Sequence, residues 1–137
     1  MKSSIGGFAL TLLIASTVGA AAQDLPVGDP VAGKRVFGKC AGCHYYNKEK
    51  KKLGPHLVGI FDRKIGSIEK FKYSKPFKKI AEDGMVWDEK TLDEYFKDPV
   101  AFTKKYGGRR GNMMLKLKDP QDRADVIAFL KDKAKLK

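Results

Sequence analysis

The residues of this chain best placed to do chemistry are Cys40-Ala41-Gly42-Cys43-His44. Two thiols three apart, followed at once by a histidine, form the attachment pattern for haem c. The spacing has a geometric reason. On a helical turn, residues i and i+3 share a face, so both sulfurs can reach the vinyl groups on one edge of a porphyrin. His44 then falls under the ring, where a neutral imidazole nitrogen can bind iron.

Other uses of these residues fit less well. A thioredoxin-like dithiol normally accompanies a βαβ pattern, and nothing here alternates strand with helix. A structural zinc site takes four ligands, mostly Cys and His. The chain has two cysteines and two histidines, and His56 follows His44 at too long a spacing. A plain disulfide stays open on residue types alone, because two cysteines could pair in an oxidising compartment.

The N-terminus reads as an export leader. Lys2 supplies a minimal basic start, Ile5 to Val18 an apolar stretch, and Ala20-Ala21-Ala22 a small-residue cleavage site. Gly6, Gly7, Ser16 and Gly19 interrupt the apolar run, which suits a cleaved signal better than a membrane span. The expectation is a signal peptide over residues 1–22 and one domain over 23–137. The domain should be soluble and periplasmic, with no stable membrane insertion. The formal charge is +12 over 137 residues, and the leader contributes only Lys2. So basic a surface implies acidic partners. Nucleic acid is not among them, since the chain is exported and its basic residues match no nucleic-acid motif.

The elements that must position the chemistry can be read in order. Asp29-Pro30 opens a first helix as N-cap and first helical residue. Val31, Val36 and Phe37 give it a rough apolar stripe, Gly33 leaves room for another backbone, and the helix runs into Cys40. From Tyr45 to about Lys72 there is no sustained period, only a lysine cluster at Lys48 to Lys52 and turn signals at Gly54-Pro55, Gly59 and Gly66. Structureless stretches this long are uncommon and usually functional. This one is expected to wrap something other than protein. Ser74 is placed to cap a short helix through Ala81, ending near Gly84. Asp88 caps another, with Leu92, Tyr95 and Phe96 on one face. Asp98-Pro99 stops that helix and can start a further turn. Asp119-Pro120 opens the last, with Val126, Ile127, Phe129 and Leu130 as its stripe. The fold class is all-α, with short helices and long loops.

If His44 holds one side of an iron, the other side decides function. The candidates are His56, Met85, Met113 and Met114. Met113-Met114 follow a glycine-rich basic loop, Tyr106 to Asn112, that could carry sulfur over the ring. Methionine opposite histidine raises the potential of a haem c. Methionine also serves as core filler, which is the reading for Met85. A five-coordinate gas-binding haem protein and a haem-free thiol oxidoreductase remain rivals at this point.

Further matches run along the rest of the chain. They include Gly33 to Phe37, Gly54-Pro55 with Leu57 and Gly59, and Phe61-x-Arg63-Lys64-x-Gly66. They continue through Phe71-x-Tyr73, Trp87, Leu92-x-x-Tyr95 and Pro99 to Met113-x-Leu115-Lys116-Leu117 and Arg123 to Leu130. Taken together, the chain resembles the class I cytochromes c, in particular the soluble bacterial c2 type. The resemblance implies a single-domain fold wrapped around one covalent haem c, attached through Cys40 and Cys43 with His44 as proximal ligand. It implies that Pro55 accepts the other ring N–H of His44 through its carbonyl. Arg63, Tyr73 and Trp87 would donate to a buried propionate, and Tyr95 would face the ligand sulfur. Gly33 and Phe37 would pack on Val126 and Phe129. Met113 is the expected sixth ligand, because Lys116-Leu117 keep their register that way, with Met114 the alternative. His56 stands where an asparagine is usual.

The resemblance also implies a function: a monomeric electron carrier, not an enzyme, that docks transiently on acidic redox proteins. An oxidase, a bc-type complex, a reaction centre or a dehydrogenase would all suit. The docking candidates are Lys39, Lys50 to Lys52, Lys104, Lys105, Arg109 and Arg110.

Overall fold

The computed structural model describes residues 25–108 and 113–135. The leader expected over 1–22, together with Arg109 and Arg110, lies outside the described residues. Five helices follow one another: α1 (Pro30–Phe37), α2 (Lys75–Glu82), α3 (Glu89–Lys97), α4 (Pro99–Lys104) and α5 (Pro120–Lys133). Among the described residues the only β-pairing is an isolated antiparallel bridge between Lys64 and Val86.

The Asp-Pro signals translate directly into helix starts. Asp29, Asp98 and Asp119 each accept hydrogen bonds from first-turn amides while a proline takes the position where an N–H would have no partner. Asp88 forms a capping box with Thr91. Ser74 occupies the N-cap position of α2, but its hydroxyl makes no capping bond. That departure from expectation bears on the site.

α1 and α5 form the principal helix contact. A Cβ at Gly33 would overlap the carbonyl of Asp125 and crowd Phe129, so a side chain there would force the helices apart. Phe37, Tyr46 and Phe129 close the interface as an aromatic trio with centroids 5.0–5.5 Å apart. The Asp125 carboxylate ties the two helices further, accepting from the Asp29 amide and from Gln121, each at 2.8 Å.

Arg123, only 4% exposed, joins three segments. It pairs with Asp93 of α3 and donates to the carbonyls of Leu117 at 3.0 Å and Lys118 at 2.8 Å. Leu117 is itself buried and bonds the Phe96 carbonyl at 2.8 Å. The strand-like segment that begins at Met113 is thus pinned to α3 and α5 at its far end. Sequence reading noted Arg123 only as part of a matching run. Its partner Asp93 is thirty positions away, and no local signal links them.

Candidate functional site

Beyond α1 the chain continues in helical turns. Cys43 and His44 both donate their amides to the Cys40 carbonyl at 3.0 Å. This brings both sulfurs to one cleft, Cys40 buried and Cys43 exposed. The cleft is lined by Cys40, Cys43, His44, Pro55, Tyr73 and Met113, with Ser74 and Met114 at its walls. A deeper chamber shares Cys40, His44, Pro55, Tyr73 and Met113 and adds Arg63, Trp87 and Tyr95. Cys40, Cys43, His44, Pro55, Arg63, Tyr73, Trp87, Tyr95 and Met113 therefore line these two adjoining spaces. Met114 borders only the outer cleft and is 49% exposed. Met85 lines neither space and receives a hydrogen bond from the Tyr106 hydroxyl at 3.5 Å. His56 lies on a different groove.

His44 is held by one ring nitrogen, which leaves the other free to bind a metal. Its Nδ1 lies 2.8 Å from the Pro55 carbonyl. A carbonyl only accepts, so Nδ1 carries the hydrogen and Nε2 keeps its lone pair. Burial pushes the imidazole below its ordinary pKa, the Pro55 bond opposes that, and Lys52 adds to the depression. A neutral ring follows. Gly54 lets the loop close on it, because a Cβ there would run into the imidazole. Burial raises the Cys40 thiol to about 11, so without a cofactor it is protonated at neutral pH.

The opposite wall is built to receive negative charge. Arg63 donates to the carbonyls of Val58 at 2.6 Å and His56 at 3.0 Å, and burial lowers its pKa. Among the described residues no carboxylate reaches it within ion-pair distance. A half-buried guanidinium without a counter-anion is an expensive arrangement unless a ligand supplies one. Tyr73 and Tyr95 stay un-ionised, their phenols held up chiefly by burial. The Ser74 hydroxyl, buried and without a partner, borders the same cleft. Ser74 is therefore not the helix cap that its place before Lys75 suggests. The signal for its other role was its place beside Phe71-x-Tyr73. The residues fit a haem: two thiols for its vinyl edge, an imidazole for its iron, and a cation with the unpartnered Ser74 hydroxyl for its carboxylates.

A helical protein with such a chamber behind Cys-x-x-Cys-His is of the haem c class. The Cytochrome c family model matches residues 30–133. Cytochrome c-550 of Novispirillum itersonii is 42% identical over 107 residues, spanning 75% of this chain and 96% of the relative. Cytochrome c2 iso-2 of Rhodospirillum centenum is 38% identical over 114 residues, spanning 76% and 94%. The solved structure of cytochrome c2 from Rhodobacter sphaeroides superposes with a TM-score of 0.74 at 32% identity, covering 80% of this chain and 99% of that one. The chain belongs to the cytochrome c family, as a class I, c2-like member. It holds one covalent haem c and is an electron carrier rather than an enzyme.

Proposed function

We propose that this chain is an exported, periplasmic shuttle whose haem iron is held between His44 and Met113. The observation that carries the ligand assignment is Met113 lining both cleft and chamber with Tyr95, while Met114 stays half exposed at the mouth. When bound, haem c supplies a one-electron couple, and a sulfur ligand favours its ferrous state. His44, oriented through Pro55, holds the proximal side. Arg63, Tyr73, Trp87 and Ser74 compensate a propionate, and the aromatic wall of Phe77, Trp87 and Tyr95 excludes water. Among the described residues no helix is long and apolar enough to cross a membrane.

The docking surface can be narrowed. Lys39 pairs with Asp122 at 2.8 Å and Lys105 with Glu94. Lys52 donates to the Ala41 carbonyl and lies 4.2 Å from the Tyr45 ring centroid. Lys50, Lys51 and Lys104 are exposed, with no carboxylate partner among the described residues. Acidic redox proteins meeting this edge would be steered by those charges at low salt.

Two measurements test the reading. The ferric protein should show the weak far-red band of a sulfur-ligated haem, and the reduced protein should resist carbon monoxide. A high-spin spectrum or ready carbon monoxide binding would overturn His–Met ligation. Lys50→Gln with Lys51→Gln should slow association with an acidic redox partner at low salt and leave the potential unchanged. An unaltered rate would remove these lysines from the docking edge.

A further inference from the structure

The Nδ1 of His56 is buried and has no hydrogen-bond partner among the described residues. His56 lines an open groove on the far side of the wall from the cofactor chamber, and Arg63 lines both spaces. The two residues are joined, since Arg63 Nη2 donates to the His56 carbonyl at 3.0 Å. No hydrogen bond to Nδ1 fixes the tautomer of the ring, so its protonation responds to solvent and to the local potential.

We propose that His56 is a positioning residue for the redox step that acts through Arg63: proton uptake on the imidazole sets a second positive charge beside the guanidinium and raises the reduction potential. The proposal rests on the reading that Arg63 faces a haem propionate. Positive charge near the iron favours the ferrous state, so the potential should fall as pH rises through the titration of His56. With haem bound, His56 would take up a fraction of a proton from water on reduction by the donor protein. It gives that fraction back when the electron leaves. Linkage demands the reciprocal effect, with His56 a weaker acid in the ferrous protein than in the ferric.

The surroundings set where this occurs. The cations facing the groove are Arg63, Lys50, Lys51 and Lys70, and the anions are Glu49, Asp62 and Glu69. Burial and then the Arg63 charge push the imidazole below its ordinary value, and Glu49 works against them.

The test uses the matured holoprotein. A Soret band is recorded first, and its absence would overturn the haem reading itself. Potentials are then measured from about pH 4 to 8 in wild type, His56→Asn and Glu49→Gln. Wild type should show one downward step, His56→Asn should lose it, and Glu49→Gln should move it to lower pH. Proton NMR of His56 in wild type should give a few-fold larger acid dissociation constant in the ferric form. A step that persists in His56→Asn, or equal constants in the two redox states, would overturn the proposal while leaving the haem reading intact.

Discussion

The α1–α5 pair and the loop from Tyr45 to Ser74 solve opposite problems. The helices are held by protein alone: Gly33 seats on the Asp125 backbone, Phe37 meets Phe129, and Asp125 ties the two starts together. The loop is tied down only at scattered points: Tyr46 against Phe37 and Phe129, Ile60 and Ile65 in the core, the His44–Pro55 contact, Gly59 on the Ala134 carbonyl, and backbone pairing with 85–87. Its buried polar groups point at a space between the elements. The helix pair is a scaffold that needs no ligand to make sense, whereas the loop makes sense only around one.

The sharpest way to break that comparison is to damage the scaffold. Gly33→Leu should remove about 4 kcal/mol or more of stability in a denaturant titration, because backbone cannot yield as a side-chain tip can. Arg123→Ala should cost about 3 kcal/mol, leaving Asp93 without its partner and two carbonyls without a donor. It should also loosen the Met113 segment, read as a weakened far-red band in the folded protein.

Caps provide a finer contrast. Asp88→Ala should cost about 1 kcal/mol, since the carboxylate accepts the Thr91 amide at 2.7 Å. Ser74→Ala should cost the haem-free chain far less, because its hydroxyl caps nothing, yet it should shift the holoprotein's potential. Equal losses in both would mean Ser74 is an ordinary cap. The smallest effect concerns acid. The Asp98 carboxyl is held below its ordinary range first by the bond from Lys116, at 2.6 Å, and then by the Ala101 amide. A lowered folded-state pKa stabilises above the unfolded value and is lost as pH falls through the folded one. Wild type should therefore exceed Asp98→Asn in denaturation midpoint at neutral pH, and the gap should close in acid.

The same division explains what could be read from residues alone. Asp29, Asp88, Asp98 and Asp119 are local signals, and each became the start of a helix. Cys-x-x-Cys-His is local too, and its turn places both sulfurs on one cleft. Ser74 misled because a serine before a helix looks the same whether it caps or faces a ligand. The Arg123–Asp93 pair and the Lys64–Val86 bridge join distant positions, and neither leaves a periodic trace. Asp62 is similar, with a left-handed φ of 60° in a turn that residue type alone does not announce. Met113 and Met114 differ by one position, and in the folded chain the segment alternates, with Met113, Leu115 and Leu117 turned inward and Met114 and Lys116 exposed.

The account turns on which sulfur sits over the iron. The decisive measurement is the far-red absorption of ferric Met113→Ala and Met114→Ala side by side, with carbon monoxide added after reduction. Loss of the band and carbon monoxide binding in Met113→Ala alone is the predicted result. The band surviving in Met113→Ala, or vanishing in Met114→Ala, would contradict it.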